Sequence, residues 1–175
     1  MKYEGYIVTT APFGDSNIPS SVVVYADKAL AAAEGSNWFA PAYISKVSID
    51  IDKPFINDEK DPFVDIGKFR SLLTADLYRQ LAQSNPVELT ETNEWERIQE
   101  RHPGLTLMEV FNQFPEEFDK LPLWAEEAYT TTSVRLALQA NHYDGAIHAV
   151  HGPREGVAYH TFQPARIVFI EDVTE

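Results

Sequence analysis

The side chains able to do chemistry crowd toward one end of this sequence. Between Asn141 and Glu171 stand His148, His151, His160, Glu155, Tyr143 and Tyr159. Residues 145–150 and 156–162 read as the two arms of a hairpin, with residues 151–155 as its loop. Alternation puts His148 and Val150 on one face of the first arm, and Ala158, His160 and Phe162 on one face of the second. Antiparallel pairing then brings His148 near His160, with His151 close by. Imidazoles titrate near neutrality and can act as general acid and base. They also ligate zinc, which in catalytic sites takes three protein ligands and a water. The chain offers no evident third ligand and no His-x-x-x-His or His-Glu-x-x-His helix, so no metal is assigned. Polar residues lining a cleft or a solvated hairpin give the same pattern. A register slip of one residue would send the two histidines to opposite faces.

Other chemistries are excluded by absence. There is no Gly-x-x-x-x-Gly-Lys loop, no Gly-x-Gly-x-x-Gly after a strand and no Gly-x-Ser-x-Gly elbow. There is no cysteine, which removes disulfides, thiolate nucleophiles and thiolate metal sites. Residues 57–65 are rich in acids, but Asp58, Glu59 and Asp61 lack the register of an EF-hand, so a solvated loop is expected.

The 175 residues carry 27 acids against 14 bases, a formal charge of −13. Such a surface repels nucleic-acid phosphates and acidic membranes and suits a basic protein partner. No apolar run is long enough to span a bilayer, and the N-terminus lacks the features of a signal peptide, so a cytoplasmic protein is expected.

The elements that must position these residues follow from periodicity. Strands are expected over residues 2–10, 21–25 and 42–51, with a loop over 11–20. The run of three valines at 22–24 suggests burial on both faces. An alanine-rich helix is expected over 26–34, with Asp27 near its start and Gly35 as its stop. Lys53-Pro54 should end the third strand. Helical spacing of Ile66, Phe69, Leu73 and Leu77 predicts one helix over 66–81, closed by Ser84-Asn85-Pro86. A short helix capped by Asn93 runs to Arg101. Thr106 and Glu109 form a Thr-x-x-Glu capping box ahead of Leu107, Val110, Phe111 and Phe114, and Pro115 falls near that helix's end. Pro122 is expected as the first residue of a last helix reaching about Ala140. Strands, then helices, then strands argue for a single α+β domain over 1–175, with a mostly antiparallel sheet and a helical insertion over about 63–120.

Three pieces resemble the ADP-ribosyltransferase-like fold, especially the small domains of phage and polyvalent mobile-element proteins. VVVYADKALAAA at 22–33 is similar to the family's second strand and following helix. ISKVSIDIDKPFI at 44–56 is similar to a strand ending in a Lys-Pro turn. The block at 137–170 is similar to its closing helix, Tyr143-Asp144-Gly145, hairpin and Phe162-x-Pro164-x-x-Ile167. The resemblance implies a split sheet that binds NAD, as substrate, in a cleft. A late glutamate there stabilises the oxocarbenium ion formed as nicotinamide leaves. It implies Thr9, Thr10, Tyr25 and Tyr159 as cofactor-binding residues and Glu155 and His160 near the ribose as catalytic ones. Val8-Thr9-Thr10 stands where the family has His-Gly-Thr or Arg-Gly-Thr, and Ala158 where it has glutamate, so the catalytic set is degenerate. Two functions follow as expectations. One is an NAD-binding domain transferring ADP-ribose to a protein target. The other is an inactive acidic interaction module, for example a phage-encoded inhibitor of a protein in a bacterial host cell. A histidine-dependent hydrolase or nuclease using His148 and His160 is a third, disfavoured by the acidic surface.

Overall fold

The computed structural model describes residues 1–13, 22–37, 41–150 and 155–174. Most of the expected 11–20 loop, Ser21 and His151 lie outside the described residues. The architecture is α+β with a mostly antiparallel sheet. The chain divides into two compact units, Met1–Pro62 with His142–Glu175, and Phe63–Asn141.

The first unit is built on a seven-stranded sheet. Its strands are β1 (Lys2–Thr9), β2 (Val22–Tyr25), β3 (Tyr43–Asp50), β4 (Pro54–Asp58), β7 (Gly145–Ala149), β8 (Val157–Thr161) and β9 (Val168–Asp172). Their order is β4-β7-β8-β2-β1-β3-β9, and among these neighbours only β4 and β7 run parallel. β1 and β3 stay in register from Lys2↔Asp50 to Thr9↔Tyr43. Among the described residues β1 meets β2 in one registered pair, Tyr6↔Tyr25. The sheet therefore has one narrow seam. Gly5 sits at that seam, and a Cβ there would lie 2.5 Å from the carbonyl oxygen of Tyr25, so only glycine allows the strands to touch.

Register sorts the strands' side chains onto two faces. Helix α1 (Lys28–Ser36) covers one face, where its Leu30 and Ala31 pack with Tyr25, Tyr6, Val8, Val23 and Ile44. The other face holds Ile7, Val22, Val24, Val47, Ile49 and Ile147, all nearly inaccessible to water. Burying each is worth about 1.5–3 kcal/mol. Asp27 caps α1 by accepting from the Ala29 amide at 2.6 Å. The helix runs through Gly35 rather than stopping there. Gly35 is buried, and a Cβ on it would come within 2.8 Å of the Ala42 Cβ.

The third strand does end ahead of Lys53-Pro54, and Pro54 opens a further strand over Pro54–Asp58. Proline lacks an N–H, but at the first position of the edge strand β4 it costs no ladder bond. The stretch expected to be a solvated loop from 57 to 65 includes the end of β4 and all of β5 (Phe63–Asp65).

In the second unit, β5 pairs with β6 (Pro122–Trp124) through Val64↔Leu123, both buried. Pro122 thus begins a strand, not the expected helix. That helix appears as α7 (Ala125–Thr130) and α8 (Thr132–Ala140). The expected 66–81 helix is also broken. Residues Ile66–Phe69 form one 3-10 turn, and Thr74 then caps α2 (Ala75–Ser84) by accepting from the Leu77 amide. Pro86 and Pro115 each open a helix, α3 (Pro86–Thr90) and α6 (Pro115–Phe118), because the missing N–H is one a first turn does not use. Thr92, not Asn93, caps α4 (Asn93–Arg101). The Thr106–Glu109 box forms in both directions at the start of α5 (Leu107–Gln113). Arg70 grips Asp119 through two bonds of 2.6 and 2.7 Å, and the Tyr78 hydroxyl donates to the same carboxylate at 2.6 Å.

Candidate functional site

The β7–β8 hairpin forms in the register Ala146↔His160 and His148↔Ala158. His148 and His160 therefore share a face as diagonal neighbours, one rung apart. Both are buried, at 2% and 3% exposure, on the α1 side of the sheet. Burial pushes the His148 pKa down, opposed by its bond to the Ala149 carbonyl at 2.9 Å. The His160 ring meets Phe162 edge-on at 5.7 Å. Among the described residues no group of three His, Asp or Glu side chains is arranged to hold a metal ion.

The residues expected to bind a nucleotide do not converge. Tyr25 pairs with Ala158 and shares the α1 face with His160; it is 9% exposed. Thr9 and Tyr159 lie on the opposite face. Thr9 is buried and donates to the Ala11 carbonyl at 2.6 Å. Thr10 follows the end of β1 and is exposed. Tyr159 stacks on Tyr3 with ring centroids 4.7 Å apart. Burial, with the charge of Glu59 second, raises the pKa of both phenols.

Glu155 is exposed just before β8. It lines an open cavity of about 580 Å³ with Glu59, Lys60, Pro62, Val150 and Val157. The Lys60 amide donates to the Asp58 carboxylate at 3.0 Å, and the Ala149 amide to the Asp61 carbonyl at 3.2 Å, so the turn after β4 is tied to the end of β7. Glu59 thus links the cavity to the Tyr3–Tyr159 stack. Of the expected residues Glu155 lines this cavity, while Tyr25 and His160 lie on the face of the sheet opposite Tyr159. No sequence pattern marks Glu59 and Lys60, because their place depends on a parallel β4–β7 pairing across 90 residues of chain.

The Tyr143-Asp144-Gly145 motif has a structural task. Asp144 is buried and accepts from the backbone amides of Asp52 at 3.0 Å and Lys53 at 2.9 Å, and from Arg166 at 3.1 Å. The carboxylate clips the turn after β3 to the start of β7. Asp52 in turn receives the N-terminal ammonium at 2.6 Å, and this bond and charge, aided by Arg166, hold its pKa below the ordinary value. Gly145 permits the close approach of β8: a Cβ there would sit 2.5 Å from the His160 carbonyl oxygen.

The fold defines an α+β protein with a mostly antiparallel sheet. Comparison with protein-family models, curated proteins and solved structures finds no match. No helix among the described residues is long and apolar enough to cross a membrane.

Proposed function

We propose that this chain is a non-catalytic, acidic interaction module on an ADP-ribosyltransferase-like sheet, acting on a protein with a basic surface. The observation that carries this reading is the placement of its chemically able side chains. Tyr25 is buried against α1, His160 is buried further along the same face, Thr9 is buried on the opposite face, and Glu155 stands apart in a loop. A transferase needs these groups on one ligand. A binding module needs only its surface, and this chain carries a formal charge of −13. Charge of one sign steers an oppositely charged partner and makes the complex salt-sensitive. The test is affinity capture from an extract of the source cells, then reconstitution with the purified captured protein. The expected result is a 1:1 complex that weakens at least tenfold between 50 and 500 mM salt, on the order that screening allows. A complex indifferent to salt, or none, overturns the reading.

A second reading, an NAD-binding ADP-ribosyltransferase-like domain, is favoured by one specific observation: among the described residues β1 and β2 touch at a single registered pair. A cleft beside that pair would have Thr9 and Thr10 on its β1 side. Its test is a thermal shift with millimolar NAD, together with an assay for released nicotinamide. A saturable shift supports it; neither shift nor nicotinamide removes it.

A further inference from the structure

Strand β9 closes one end of the sheet, and all five of its residues are exposed. Val168 is 58% exposed, Phe169 45% and Ile170 41%. Glu171 and Asp172 follow directly. An edge strand offers a row of N–H and C=O groups to any chain that can pair with it, and proteins normally blunt such edges with charge, proline or a bulge. β9 is blunted in part. Its register with β3 passes from Val47↔Phe169 to Lys46↔Glu171, so Ile170 is an extra, bulged residue, and the two acids guard the C-terminal half. The N-terminal half has neither proline nor charge. Phe13 stacks on Phe169 at 5.2 Å, which extends the apolar surface around the strand.

Charge decides between occupants. In a second copy pairing antiparallel about Ile170, Glu171 would face Phe169 and Asp172 would face Val168, and two chains of formal charge −13 would be brought together. A partner strand with basic residues opposite Glu171 and Asp172, and apolar residues opposite Phe169 and Val168, satisfies both halves.

We propose that β9, which no further strand pairs on its outer side among the described residues, is the docking strand of this protein, and that its partner adds an extended segment, antiparallel, in which two basic residues precede a run of apolar ones. The proposal rests on the interaction-module reading and names its surface. Backbone pairing supplies affinity, and the basic-then-apolar order supplies direction and specificity.

The experiment uses a fluorescein-labelled peptide, Lys-Arg-Thr-Val-Phe-Val, and the full chain, read by fluorescence anisotropy at low salt. Saturable binding is expected. Val168→Lys should weaken it at least tenfold, as should the pair Glu171→Lys and Asp172→Lys. A peptide N-methylated at alternate backbone amides should lose binding in one of its two phases of methylation, a result that simple charge attraction does not produce. Val87→Lys, at an exposed apolar residue of the other unit, should change nothing. Circular dichroism verifies that each variant is folded, and Phe169→Thr serves if Val168→Lys is not. Equal binding by wild type and the β9 variants, or indifference to both methylated peptides, overturns the proposal. So does a concentration-dependent dimer that Val168→Lys abolishes, which would make a second copy the occupant. If a captured protein partner binds with undiminished affinity to the β9 variants, the surface is wrong while the module stands. If no partner complex forms at all, both fall.

Discussion

Removing the Asp144 carboxylate should unfasten the first unit at a definable place. The carboxylate accepts two backbone amides, from Asp52 and Lys53, and meets Arg166. Hydrogen bonds to a charged group contribute about 1.5–3 kcal/mol each. Asp52 and Lys53 are exposed, so water can reach their amides once the acceptor is gone, and the lower value applies. Arg166 is 41% exposed on its side chain, so solvent screening holds its share to about 0.5 kcal/mol. Asp144→Ala is therefore expected to destabilise by about 3–4 kcal/mol, and Asp144→Asn, which keeps one acceptor, by about half that. Urea unfolding gives the total. Hydrogen exchange gives the location: the Asp52 and Lys53 amides should exchange far faster in the variant than in the wild type. In a double-mutant cycle with Arg166→Met, the coupling should stay below about 1 kcal/mol. A loss for Asp144→Ala below about 1 kcal/mol, or unchanged exchange at those two amides, would refute the clip. A coupling above about 2 kcal/mol would show that the ion pair, not the amide cradle, holds this turn.

Three further outcomes are expected. Gly5→Ala places a Cβ 2.5 Å from a backbone carbonyl at the β1–β2 seam, where no flexible side chain can yield, and should cost about 2–3 kcal/mol by chemical denaturation; a neutral result would mean the strands do not meet there. Thr106→Ala removes the cap of α5 and should cost about 1 kcal/mol, with Ser at the same position restoring most of it. Stability should also fall at both ends of the pH scale. Buried His148 has its pKa lowered, so the unfolded chain takes the proton first: stability is full above about pH 6.5 and declines as pH falls below it. Tyr78 has its pKa raised by burial and its bond to Asp119, so stability is full below about pH 10 and declines above it. His148→Gln and Tyr78→Phe should each flatten the corresponding limb in melts across pH.

Local chemistry was legible in the sequence wherever neighbours in the chain settle it. The Thr106–Glu109 box forms as spaced, and Asp27, expected near the start of α1 for its charge, stands one residue before the helix and caps it. The hairpin register that puts His148 and His160 on one face follows from the alternation of its two arms. Prolines were ambiguous for a physical reason: a ring without an N–H suits the end of one element and the start of the next equally well. Pro86 and Pro115 open helices, while Pro54 and Pro122 open strands.

The candidate site was less legible than the fold. Residue types and spacing marked Tyr25, His160, Thr9 and Tyr159 as able to meet a ligand, but facing is decided by which strands pair. The order β4-β7-β8-β2-β1-β3-β9 turns Tyr25 and His160 to one face of the sheet and Thr9 and Tyr159 to the other. It also carries Glu59 and Lys60 to Glu155 from nearly a hundred residues away, and leaves the apolar half of β9 at an edge where nearly identical valines in β2 are interior. Composition and periodicity by themselves determined an acidic α+β chain, its capped helices and its closing hairpin, because those depend on contacts a few residues apart. Only the tertiary structure decided which faces are covered and which strands lie at the edges, because strand order is set by long-range pairing that no local pattern encodes.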